Sequence, residues 1–185
     1  MSLDYAILGF LNYHPYSGYD LKKIFDHSVQ HFWQADQSQI YRTLARLTDR
    51  GWVQMEKVEQ DDRPDRKVYH ITEAGRAEFL RWLAGPPPLD APRSAPLIQV
   101  FFAGKLADAE VLAKFEGFAA IMRAILNQYE AVPDQIGEFI EDIRSPRESF
   151  FWMLTLENGI RNMRANLEWA ESVIERIRKG EVPPE

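Results

Sequence analysis

Five prolines fall within the twelve residues of Gly85–Pro96, GPPPLDAPRSAP. Proline fixes φ and brings no amide donor, so neither a helix nor a sheet ladder runs through such a stretch. The 185-residue chain is therefore divided, and each half has to build its own core. The expected units are residues 1–85 and 97–185, joined by residues 86–96. With 45% hydrophobic residues, the chain carries enough apolar material for both.

Composition removes several classes of protein. There is no cysteine, which excludes a disulfide framework and thiolate metal sites. The start, MSLDYAILGFLNYHP, lacks the basic region and small-residue cleavage site of a secretion signal. No apolar run approaches the roughly 20 residues of a membrane span, so a soluble, cytoplasmic chain without a membrane partner is expected. Net charge is −6, unevenly spread: residues 1–85 carry 11 Lys and Arg against 12 Asp and Glu, and residues 86–185 carry 11 against 16. A polyanionic partner would have to meet a local basic surface on the first half.

Periodicity in that half predicts a helix over about residues 3–11, with Ala6, Ile7, Phe10 and Leu11 on one side. Ser17 stands three residues before Asp20, the spacing of a capping box, and Leu21, Ile24 and Phe25 then face inward. A third helix starts at Asp36, with Gln39 as its capping partner, and ends at Gly51, where the missing Cβ permits a left-handed cap. The period then changes to two. WVQM and KVYHI alternate as strands do around the polar VEQDDRPDR, which predicts a two-stranded hairpin. Thr72 caps a fourth helix, TEAGRAEFLRWL, with Glu73 favourably placed against its dipole. Helix, helix, helix, hairpin, helix is the order of a winged helix-turn-helix, so the expected fold is mainly α with a two-stranded wing and a helical C-terminal half.

At about 100° per residue, Ile40, Leu44 and Leu47 fall within about 60° of one another, and Ser38, Arg42, Ala45 and Asp49 lie opposite, flanked by Tyr41 and Arg46. Small residues allow close approach to a groove, guanidinium groups bond guanine edges or phosphates, and a tyrosine hydroxyl reaches a phosphate. The candidate DNA-binding residues are Gln37, Ser38, Gln39, Tyr41, Arg42 and Arg46 on the helix, with Arg63, Arg66 and Lys67 on the wing. Asp49, Asp61, Asp62 and Asp65 oppose phosphate. The same pattern also reads as a solvated helix and loop, in which case the winged helix would be a scaffold for protein partners.

These residues resemble the PadR family of bacterial transcriptional regulators. YAILGFL and HPYSGYDLKK look like the family's first two helices, with Gly18, Tyr19, Asp20 and Leu21 in its Gly-Tyr-acidic-Leu pattern. SQIYRTLARLTDRGWV resembles its recognition segment through Tyr41, Leu44, Leu47 and Gly51, and RKVYHITEAGRAEFLRWL its second wing strand and following helix through Tyr69, Thr72, Gly75 and Leu80. Arg42 departs from the pattern, since many members carry proline there. The resemblance implies a repressor of transcription on operator DNA with an inverted repeat, released by a small aromatic or apolar effector.

The second half is similar to the longer members, whose C-terminal region resembles that of virulence activators. Met153, Leu156, Ile160, Met163, Leu167, Ala170, Ile174 and Ile177 alternate spacings of three and four, a sustained heptad seam. Val111, Phe115, Phe118, Met122, Ile125 and Tyr129 repeat the device upstream. The two helices can pair within one chain or across two; a homodimer is expected, with Met153, Leu156, Ile160, Met163, Leu167, Ile174 and Ile177 at its interface. Phe101, Phe102, Phe118 and Trp152 are the candidate effector pocket between the two halves, or else simply core. No nucleotide, nucleophile or metal motif occurs. His27 and His31 lack further ligands, and Glu138, Glu141 and Asp142 read as a solvated face. No enzyme activity, cofactor or metal is expected.

Overall fold

The computed structural model describes residues 2–29, 32–59, 66–88, 94–132 and 145–183. His31, Asp61, Asp62, Arg63, Asp65, Glu138, Glu141 and Asp142 lie outside them. The chain separates into two compact units, Met1–Pro88 and Leu89–Glu185.

In the first unit, α1 (Ser2–Tyr13) is followed by a two-residue strand, β1 (Tyr16–Ser17), and then by α2 (Gly18–His27). Both halves of the Ser17–Asp20 capping box form. So do both halves of the Asp36–Gln39 box that opens α3 (Gln37–Asp49). Gly51, at φ +71°, turns the chain out of α3 in the left-handed conformation that a residue without Cβ adopts freely. The wing strands β2 (Val53–Val58) and β3 (Arg66–Ile71) pair antiparallel, with Val53 opposite Ile71 and Lys57 opposite Lys67. The sheet has three strands in the order β1-β3-β2, where the sequence predicts two. The third is β1, in which Tyr16 pairs with Tyr69 and Ser17 with Val68. Two residues are too few to carry a period, so alternation could not reveal that strand.

The unit closes around Ile7, Leu8, Leu11, Leu21, Phe25, Ile40, Leu44, Leu47 and Val53, which α1, α2, α3 and β2 bring together. Thr72 joins wing and helix. Its hydroxyl donates to the Gly51 carbonyl (2.7 Å) and accepts from the Gly75 amide (3.0 Å), capping α4 (Glu73–Leu83). Its own amide donates to the Trp52 carbonyl (3.0 Å).

The second unit begins with α5 (Ala95–Phe101), capped by Ser94 and carrying Pro96 in its first turn, where a missing amide costs nothing. A 3₁₀ turn (Ala103–Lys105) leads into α6 (Asp108–Glu130), and α7 (Pro146–Arg178) packs antiparallel against it. Glu116–Arg178, Arg123–Glu171 and Glu130–Arg164, each at 2.6 Å, step along the pair seven residues at a time. Between them Phe115, Ala119, Ala170 and Ile174 are buried, joined by Val111, Phe118, Leu167 and Ile177. Leu167, Ile174 and Ile177, expected at an interface between subunits, are thus packed on α6 of their own chain; the upstream seam lies close enough in sequence to fold back and cover them first. No helix among the described residues is long and apolar enough to cross a membrane.

Two glycines separate packing from propensity. A Cβ on Gly75 would stand 2.1 Å from the Trp52 carbonyl oxygen, whereas one on Gly117, on an exposed face of α6, would meet nothing within 4 Å. Gly75→Ala is expected to destabilise the first unit by about 1–3 kcal/mol. Gly117→Ala is expected to stabilise the second by about 0.5–1 kcal/mol. Chemical denaturation of the two variants checks both signs.

Candidate nucleic-acid interface

α3 divides into two faces. Ile40, Leu44 and Leu47 are fully buried, at 0% exposure, while Gln37, Ser38, Gln39, Tyr41, Arg42 and Ala45 are exposed. The split follows from the 3.6-residue period once the three apolar residues have been drawn into the core.

The exposed residues are locally organised. Asp36 Oδ1 accepts from the Ser38 hydroxyl and the Gln39 amide, both at 2.7 Å, and Gln39 Oε1 accepts from the Asp36 amide at 3.0 Å. The Ser38 bond first, then the Gln39 amide, holds the Asp36 carboxyl below the usual carboxylate range. Ser38 and Gln39 are thereby oriented as part of the cap. Tyr41 lays its ring on Gly18, where a Cβ would come within 2.5 Å, so the glycine at the start of α2 sets the height of the tyrosine. Arg42 donates from Nε to the Ser38 carbonyl (3.3 Å) and otherwise extends from the exposed face.

The other two described arginines of the expected DNA set, though exposed, are paired with carboxylates of other helices. Arg46 is held by Asp4 of α1, through Nη2 to Oδ1 and through Nε to Oδ2 (3.4 Å), with a further bond from Nη2 to the Thr43 hydroxyl (3.2 Å). Arg66, the first residue of β3, pairs with Asp20, the capping residue of α2. Lys67 is exposed on the wing opposite Lys57, a residue that sequence reading passed over because strand register alone reveals it. Asp4 was equally illegible, since its partner lies 42 residues away.

None of the expected effector residues, Phe101, Phe102, Phe118 and Trp152, lies in the wall of the second unit's apolar cavity. Phe101 and Phe102 are largely exposed, at 82% and 63%, and meet each other edge to face; Phe118 packs toward Trp169. A half-open cavity of about 620 Å³ lies instead among α5, α6 and α7, walled by Val100, Leu106, Val111, Phe115, Trp169 and Val173. Heptad positions that face a helix gap rather than a helix create it, and a one-dimensional pattern does not distinguish the two.

Asp20 ties the wing to pH. Burial raises its carboxyl, but bonds from the Ser17 hydroxyl, the Arg66 guanidinium and the Ser17 amide outweigh burial and hold it below its ordinary value. A depressed folded pKa contributes stability that is complete above the unfolded carboxylate value of about 3.9 and is lost as pH falls through the lower folded value. The stability difference between wild type and Asp20→Asn is therefore expected to be constant from pH 7 to about pH 5 and to shrink below about pH 4, as measured by urea unfolding at stepped pH.

Residues 7–81 match the Transcriptional regulator PadR-like family, and residues 92–178 match the Virulence activator alpha C-term family. A probable transcriptional regulator of Mycobacterium tuberculosis is 31% identical over 97% of this chain and 99% of its own length. The negative transcriptional regulator PadR of Bacillus subtilis is 27% identical over 96% of this chain and 98% of its own. Two crystal structures of that PadR superpose along 96% of this chain and 99% of theirs at 26% identity: its complex with operator DNA with a TM-score of 0.82, and its complex with p-coumaric acid with 0.76. With a close-to-full-length relative above 30% identity and its two units matching in order, the chain belongs to the PadR-like family of transcriptional regulators.

Proposed function

We propose that this chain represses transcription as a homodimer on duplex operator DNA, with α3 in the major groove and the β2–β3 hairpin along the backbone. The observation that carries the reading is the division of α3, whose buried face fixes the helix while Ser38, Tyr41, Arg42 and Ala45 remain exposed. The wing adds to it. Lys57 and Lys67 stand directly opposite each other in the strand register, two cations that a phosphate backbone attracts. Repression is supported by the negative regulator of B. subtilis, and DNA by its operator complex. Dimerisation is supported by the exposed Ile98, Phe101, Phe102, Phe150, Phe151 and Leu154 of the second unit, apolar side chains that a second chain could cover. Met153 and Leu154, near the start of α7, remain available to such a contact where Leu167, Ile174 and Ile177 are not. A cytoplasmic site of action accompanies this reading.

Selection from a random duplex pool tests it. The recovered sequences are expected to carry inverted half-sites and to sediment with two chains per duplex. Arg42→Ala is expected to weaken operator binding by about 1–3 kcal/mol if Arg42 reads a base, and to reduce the salt slope by about one if it holds a phosphate. Unchanged operator affinity in a folded Arg42→Ala chain would favour the protein-scaffold reading.

Release by a small aromatic or apolar molecule completes the proposal, supported by the p-coumaric acid complex of the B. subtilis protein. Among the described residues the cavity beside Phe115 and Trp169 has the size and apolar walls for one aromatic acid. Linkage makes the effect reciprocal: a tenfold loss of operator affinity requires about 1.4 kcal/mol of coupling, and operator weakens the ligand by the same factor. Quenching of tryptophan fluorescence by p-coumaric acid, titrated with and without operator duplex, is expected to give the two matching shifts.

A further inference from the structure

Among the described residues of the first unit, Asp4 is the one charged side chain that is fully buried. Its carboxylate, 2% exposed, lies in the first turn of α1, beneath the outer edge of α3. Two arginines of the α3 segment converge on it. Arg46 donates from Nη2 to Oδ1 and from Nε to Oδ2 (3.4 Å), and Arg50 approaches Oδ2 from Nη1 (3.5 Å) while its guanidinium covers the Trp52 ring at 5.0 Å. A carboxylate taken out of water has to keep its cations, because withdrawing one leaves charge stranded in a low-dielectric site. The pairing is therefore asymmetric. Arg46 retains 44% side-chain exposure, yet leaving Asp4 is far more unfavourable for it than for an arginine that water surrounds.

Arg42 and Arg46 are four residues apart, on the same edge of α3. By type and position both qualify as phosphate contacts, but their engagement differs. Among the described residues Arg42 bonds its own helix turn, whereas Arg46 is fixed to another helix and to Thr43. On the reading of α3 as the DNA-facing helix, which this step assumes, we infer that Asp4 is a positioning residue that limits the electrostatic part of DNA binding. It anchors α3 to α1 and withholds Arg46 from the phosphate backbone. Each withheld cation removes an attraction that every DNA sequence shares equally, so binding to operator and to random duplex is lowered alike and the difference between them is left to base contacts. In a chain of net charge −6 this keeps sequence-independent binding low without removing the arginine that the fold requires.

The test compares wild type, Asp4→Asn, Arg46→Gln and the double variant on random-sequence duplex and on selected operator, across a fourfold range of salt. One added phosphate contact steepens the log–log salt slope by about 0.9, which over that range is about a 3.5-fold greater loss of binding. Arg46→Gln is expected to keep the wild-type slope on random duplex. Asp4→Asn, which retains the shape of the side chain but releases Arg46 while Arg50 keeps the Trp52 ring, is expected to steepen the slope by that amount on random duplex and operator alike, leaving the ratio of their affinities unchanged. The double variant should return to the wild-type slope, a reversal that loss of packing alone does not produce. A shallower slope in Arg46→Gln, meaning that Arg46 already touches phosphate, overturns the inference; so does a folded Asp4→Asn chain with an unaltered slope. Should Asp4→Asn fail to fold by circular dichroism, the Arg46→Gln slope decides alone. A wild-type chain with no salt-dependent duplex binding removes the DNA reading itself, before any variant is compared, and the inference with it.

Discussion

Burial of Ile40, Leu44 and Leu47 against α1 and α2 governs the first unit, because it leaves α3 no freedom to rotate about its axis. Each of these side chains contributes about 1.5–3 kcal/mol by leaving water, so a rotation that exposed even one would forfeit a large part of a small domain's stability. The helical period then presents Ser38, Arg42 and Ala45 outward, with no further interaction needed to aim them. Caps complete the placement: Asp36 and Gln39 start the helix, and Gly51 ends it in a conformation that turns the chain into β2.

Charge is distributed by pairing as much as by count. An acidic chain can present a cationic surface only where its carboxylates are occupied elsewhere, and Asp4 and Asp20 are occupied by Arg46 and Arg66. The same bonds serve the architecture. Asp20 completes the capping box of α2 and receives the first residue of β3, so the loop end of the hairpin and the start of the second helix share one carboxylate. Exposed cation pairs add little to stability, whereas the Asp4 site couples two helices through a buried group whose partners are not interchangeable with water.

In the second unit Leu167, Ala170, Ile174 and Ile177 of the heptad pattern pack with residues of α6. Ala119 and Ala170 let α6 and α7 approach closely, Phe115 and Ile174 fill the space beside them, and three Arg–carboxylate bridges seven residues apart hold the antiparallel register. Salt bridges at the edges of such a seam act chiefly on alignment, since exposed pairs are individually weak. Phe101, Phe102, Phe150 and Phe151 remain outward, together with Ile98, Met153 and Leu154.

Much of this was legible along the chain. The capping boxes at Ser17 and Asp36, the left-handed turn at Gly51, the change of period into the wing and the inward set Ile40, Leu44 and Leu47 are all encoded within a few residues, because caps and amphipathic faces are short-range physics. The family resemblance rested on those local patterns, and so did the two-part organisation. The strand β1, the engagement of Arg46 and Arg66, the pairing of Lys57 with Lys67 and the cavity beside Trp169 were not legible. Each depends on segments remote in sequence becoming neighbours, and the same letters are compatible with other neighbours. The sequence by itself therefore determined which residues form helices and which of their faces turn inward. The tertiary structure alone decided which outward charges remain unclaimed, because an arginine's partner is set by where a distant carboxylate is buried, not by the arginine's own place in the helix.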